Sequence, residues 1–199
     1  MRVQRESYMS PIRSTISVRA YAAIYRLLNR VSPVDGDCGL LCGSVCCRAE
    51  DEDRTQNLGI YLLPGEDALF TKDEDWLEWD FSRAEDSDFP DSWNGIVYFI
   101  KCEGPDTCRR ETRPLQCRFF PLAPHLTKEG QLNMILYPDN ALPYRCPLIK
   151  NKIPLSQDFI KASYTVWRRL IDDPLIRDLV EYDSAYRRKS KLTFIYPHR

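Results

Sequence analysis

Apolar positions fall at helical spacing near both ends of the chain and gather into short extended runs in its middle. Over residues 17–31, Tyr21, Ile24, Leu27, Leu28 and Val31 follow the i, i+3, i+4 rule of an amphipathic helix, and Pro33 stops it. From Ser156 the helical period returns. Phe159, Ser163, Val166 and Leu170 form one stripe, with Ile160, Tyr164, Trp167 and Ile171 beside it. Pro174 forces a break, because it lacks an N–H and its ring clashes with the preceding turn. Leu175, Leu179, Tyr182 and Tyr186 then mark a second helix.

Between these ends the pattern is that of strands. Residues 58–63 are a short apolar run from Leu58, closed by Pro64-Gly65, with a short helix expected over 66–72. The acidic stretch 73–91 has no DxDxDG calcium loop and reads as a solvated loop or hairpin edge. Trp76, Trp79 and Phe81 predict that part of it packs down as a strand. Residues 95–102 are rich in β-branched and aromatic side chains, and residues 132–137 form another strand before Pro138-Asp139-Asn140. The fold class predicted is α+β: a single domain over 1–199, small, cysteine-rich and metal-stabilised. Its short antiparallel strands have one N-terminal helix before them and two C-terminal helices after. A cysteine-cluster core occupies 37–147 and a C-terminal helical pair 154–190.

Composition adds bounds. The 199 residues are 43% hydrophobic and 12% aromatic, enough for a core that needs no disulfide staples. A net charge of −1 gives no electrostatic case for nucleic acid or anionic membranes as partners. The N-terminus is basic, but Arg13, Arg19, Arg26 and Arg30 interrupt any signal-like apolar region, and no stretch reaches the length of a membrane span. The chain therefore reads as cytoplasmic, where thiols stay reduced.

That compartment changes the meaning of the eight cysteines. Cys38, Cys42, Cys46 and Cys47 form one knot, Cys102, Cys108 and Cys117 a second, and Cys146 stands apart. Thiolates held together repel unless a cation lies between them, so clustered cysteines in a reducing cell point to a metal. A disulfide-stapled binding domain is the contrasting reading. Cys38, Cys42 and Cys46 are spaced to share one helix face, but Gly36, Gly39 and Gly43 argue for a wrapping loop. Cys46 and Cys47 are neighbours whose side chains diverge. They fit two four-cysteine centres, or one centre with spare thiols. Zinc and an iron–sulfur cluster, a four-iron cubane foremost, are the candidate cofactors. His125 and His198 are the chain's two histidines, too few and wrongly spaced for a zinc finger, and no ferredoxin spacing appears. His125 reads as packing or surface. Four thiolates around a doubly charged ion or cubane leave about two negative charges. Arg113 and Arg118, flanking Cys117, are the favoured donors to the sulfurs, and Arg109 and Arg110 are placed equally well in solvent. Tyr61, Tyr98 and Tyr144 read as core or rim aromatics, and Glu66, Glu103 and Glu111 as surface charges.

Four features together resemble the YkgJ-type cysteine-cluster family, a zinc- or iron-chelating domain. They are CGLLCGSVCC, the PGE after a strand at Pro64, Gly65 and Glu66, the Cys102/Cys108 pair, and RPLQCRFFPL from Arg113 to Leu122. Cys146 matches the late eighth cysteine of such domains, and the resemblance spans 37–147. It implies metal ligation by Cys38, Cys42, Cys46, Cys47, Cys102, Cys108, Cys117 and Cys146, in a structural, electron-transfer or metal-handling role. A similar module occurs in flagellin lysine methylases. This chain lacks a glycine-rich loop for the methyl donor, so that activity is not carried over. The alternative is an iron–sulfur enzyme, an oxidoreductase or a methyl-transfer protein. No nucleophile–base pair or carboxylate dyad stands out to support one.

Overall fold

The computed structural model describes residues 10–47 and 59–197. Leu58 and His198 lie outside the described residues. The first helix, α1 (Val18–Leu28), is capped by Ser17, whose side chain accepts the Ala20 N–H. It buries Tyr21, Ile24, Tyr25 and Leu28, so the buried stripe includes Tyr25 and leaves Leu27 partly in solvent. The helix ends at Leu28, before the expected Val31, with Asn29 as its C-cap.

Three strands follow: β1 (Ile60–Tyr61), β2 (Leu77–Arg83) and β3 (Ile96–Cys102). They form an antiparallel sheet in the order β1-β3-β2. The acidic stretch thus does supply an edge strand. Trp76 and Leu77 are buried, whereas Phe81 faces solvent. Where a short helix was expected at 66–72, a single 3-10 turn runs over Glu66–Leu69.

The second sheet has the order β4-β5-β6, from β4 (Leu122–Leu126), β5 (Leu132–Leu136) and β6 (Thr193–Tyr196). Strand β4 went unpredicted because Pro124 and His125 interrupt its pattern. A proline is tolerated there because β4 is an edge strand and a missing donor need not be matched. All residues of β4 and β5 are buried. Two helices, α4 (Gln157–Leu170) and α5 (Pro174–Arg187), pack on this sheet. The break at Pro174 is as expected, with Asp173 accepting the Ile176 N–H at 3.2 Å as the cap of α5. The buried stripe on α5 is rotated from the expected one. Ile176, Val180, Ser184 and Arg187 are buried, while Tyr182 and Tyr186 are exposed. Two further short helices, α2 (Leu115–Phe119) and α3 (Pro147–Lys150), begin at Pro114-Leu115 and Cys146-Pro147.

The architecture is α+β with two small antiparallel sheets and five helices among the described residues. One apolar core joins Tyr21 of α1, Leu63, Phe119 of α2, Met134 of β5 and Phe159 of α4. Burying such side chains is worth about 1.5–3 kcal/mol each, which makes this the main source of stability. No helix of the described residues is long and apolar enough to cross a membrane.

Candidate metal centre

Four separate segments bring their sulfurs to one cleft of about 220 Å³. The first is the loop after α1. Here Cys38–Leu41 and Val45–Cys47 are short 3-10 turns rather than a continuous helix. Gly43 and Ser44 between them take φ of 62° and 59°, which ends any helix and reverses the chain. The Asp37 carboxylate accepts the Gly39 N–H at 2.9 Å and starts the first turn. The second segment is the end of β3, where Cys102 pairs across the sheet with Leu77. The third is the following loop, where the Cys108 N–H reaches the Gly104 carbonyl at 3.2 Å. The fourth is α2, which carries Cys117. Cys38, Cys46, Cys47, Cys102, Cys108 and Cys117 all line the cleft, together with apolar Trp76, Leu77 and Ile100. Cys42 and Cys146 do not line it. Cys146 is buried at the start of α3, packed with Leu148 and Ile149, and Cys38 packs against the same cluster. All eight cysteines are free thiols.

The position of α2 depends on a residue that the sequence reading placed on the surface. Glu66 is fully buried. Its Oε1 accepts the Tyr25 hydroxyl at 2.6 Å and the Leu115 N–H at 2.8 Å, and its Oε2 accepts the Leu63 N–H at 2.9 Å. A carboxylate caps α2 in this way and ties it to α1 and to the turn after β1. Burial pushes the Glu66 carboxyl above its ordinary range, and the three donors oppose that shift. The Gly65 preceding it has a φ of 88°, a conformation that glycine adopts without strain. The PGE element is therefore scaffolding for the cysteine segment.

The arginines divide in the same spirit. Arg113 Nε donates to Cys108 Sγ at 3.4 Å, so it acts directly on sulfur. Burial disfavours its charge, but the Cys108 contact and the Cys47 and Cys117 thiols raise it overall. Arg118, in contrast, donates to the carbonyls of Arg113 and Arg110 and to Asn29, and lies over the Tyr25 ring at 4.4 Å. It staples backbone rather than touching a thiol. Arg110 donates to the Val31 carbonyl at 2.6 Å and reaches the cleft, while Arg109 is exposed. Glu103 and Glu111 are exposed, as expected. Tyr144 stands at the cleft rim. His125 is buried against Phe194, away from the cysteines, with a ring distance of 5.9 Å.

Burial raises the thiols of Cys38, Cys102, Cys117 and Cys146 above their ordinary value. Cys117 is pushed up to about 12, by burial first and then by the charges of Cys47 and Cys102. Its sulfur faces the cleft and so is accessible, yet protein surrounds it on the other sides. A group whose pKa is raised on folding stabilises the fold fully below its unfolded value and less above it. The metal-free protein should hold its stability up to about pH 9 and lose it progressively toward pH 12. Denaturant melts of the reduced protein across that window test this, and Cys117→Ala should shallow the decline. Uptake of a metal by such thiols would run the other way. Thiols bind metal only as thiolates, so affinity should climb as pH rises.

Among the described residues, no three Cys, His, Asp or Glu side chains are already arranged to hold a metal ion. The sulfurs surround the cleft without converging on a point. The donor set itself suits a metal: sulfur throughout, the ligand of zinc, copper(I) and iron–sulfur clusters.

The chain matches no protein-family model, no curated protein and no solved structure. Its motifs and the cleft are what speak for its chemistry.

Proposed function

We propose that this chain is a metal-binding protein whose clustered cysteines hold an iron–sulfur cluster or zinc. Its role is structural, electron-transferring or metal-handling. The observation that carries this reading is the gathering of six thiols from four chain segments around one cleft. Scattered thiols with only packing roles would have no reason to share it. Arg113 supports the reading further, because a guanidinium donating to sulfur offsets the negative charge that a thiolate centre accumulates. The YkgJ-type motifs agree with it, since the PGE element and the RPLQCR segment meet through Glu66 and Leu115. The protein acts in the cytoplasm, where its thiols remain reduced.

Anaerobic purification followed by elemental analysis and a visible spectrum tests the proposal. Iron with inorganic sulfide and a broad visible absorption identifies a cluster. Stoichiometric zinc in a colourless protein identifies zinc. A preparation that holds neither, and takes up neither on reconstitution under reducing conditions, overturns the reading.

A further inference from the structure

Cys46 and Cys47 sit on the second 3-10 turn of the loop, Val45–Cys47, where the Cys47 N–H reaches back to the Ser44 carbonyl at 2.7 Å. The divergence expected of neighbouring side chains does not occur there. Their sulfurs touch at 3.9 Å, and both residues line the cleft. Two sulfurs on one tetrahedral zinc, each about 2.3 Å from it, stand roughly 3.8 Å apart. The pair therefore already has the bite of a single soft atom. Among the described residues, no third cysteine, histidine, aspartate or glutamate joins it in an arrangement that could hold an ion. Cys108, on the same cleft, is engaged by Arg113. Cys46 is exposed, so a molecule in solution can reach the pair. The cleft also carries the apolar side chains of Leu28, Val31, Trp76, Leu77 and Ile100. Such a site suits a thiophilic electrophile that takes two sulfurs and brings an apolar third group of its own.

We propose that Cys46 and Cys47 form a two-thiol site for a monosubstituted trivalent arsenical, whose organic group lies on the apolar wall of the cleft. The step is a condensation. An arsonous acid, RAs(OH)2, exchanges its two As–OH bonds for two As–S bonds, and the two thiol protons leave with the two hydroxides as two waters. Arsenic stays trivalent, no electron moves, and no oxidant is needed. This goes beyond the metal-binding reading. It uses the same cleft but concerns the metal-free chain, so either can fail without the other.

The test treats the reduced, metal-free full-length chain with one equivalent of phenylarsine oxide. The remaining thiols are blocked with N-ethylmaleimide and the arsenical is withdrawn with 2,3-dimercaptopropanol. The two thiols so released are labelled with iodoacetamide and located by peptide mapping. That second label should fall on Cys46 and Cys47, and native mass spectrometry before the blocking step should show one arsenical per chain. Cys46→Ser and Cys47→Ser should each abolish the adduct that survives excess 2-mercaptoethanol. The folded chain should hold the arsenical about tenfold or more tightly than the urea-unfolded chain, because only the folded cleft buries the phenyl ring. Label on another pair of cysteines, no adduct on wild type, or equal affinity in the folded and unfolded chains overturns the proposal. Zinc uptake by the same preparation is measured separately and bears on the metal-binding reading alone.

Discussion

Removing the proposed metal should lower the melting temperature of this protein by about 8–16 °C. A ligand present at a thousandfold above its dissociation constant stabilises the folded state by about 4 kcal/mol. For a chain of this size each kcal/mol corresponds to roughly 2–4 °C. The loss should stop short of complete unfolding. Zinc fingers collapse without metal because they have no other core, whereas here Tyr21, Phe119, Met134, Phe159 and Leu170 belong to a buried apolar core. The part expected to loosen is the loop from Cys38 to Cys47, which buries no side chain in its two short turns. Calorimetry before and after chelation, with metal content measured on the same samples, gives the answer. An unchanged melting temperature in protein shown to have lost its metal would rule out a stabilising role.

Glu66→Ala should be the most damaging substitution outside the cysteines, costing about 3–5 kcal/mol. It strands three buried donors, the Tyr25 hydroxyl and the Leu63 and Leu115 N–H groups, and leaves a cavity where the carboxylate stood. It also releases the start of α2, so the proposed metal should be held more weakly through misplacement of Cys117. Glu66→Gln should be milder. One oxygen can still serve Tyr25 and Leu115, but the amide N–H groups now face the Leu63 N–H. Urea unfolding of the three proteins, with metal content alongside, checks the order wild type, then Gln, then Ala. A loss under about 1 kcal/mol for Ala would mean that the carboxylate is dispensable.

Glu66 also shows where sequence reasoning ended. A charged residue in a turn is ordinarily solvated, and nothing local in Leu-Leu-Pro-Gly-Glu marks it as buried. Its three donors come from positions 3, 41 and 49 residues away along the chain. Such partnerships are invisible to periodicity. Periodicity succeeded where an element packs by one face. Helices α1 and α4, strand β3 and the strand hidden in the acidic stretch were all legible in this way. It divided at the second sheet, finding β5 and missing β4. An apolar run revealed β5, while Pro124 concealed β4, whose pairing with β5 depends on register across the sheet. On α5 the apolar positions gave the helix but not its buried face, because Ser184 and Arg187 are turned inward by partners on β4. The site was legible as a set of cysteines. Which thiols share a cleft was not, since Cys47 and Cys102 stand 55 residues apart along the chain before folding brings both to it.

The reversal at Gly43 and Ser44 limits how this stretch can drift over generations. Leu40 and Leu41 beside it are 86% and 51% exposed, so their bulk is free to vary. The number of residues from Cys42 to Cys46 is not free in that sense. One insertion or deletion there would shift the vicinal pair along the chain and draw it off the cleft that both residues line, so lineages should keep the length of this bend while its letters change.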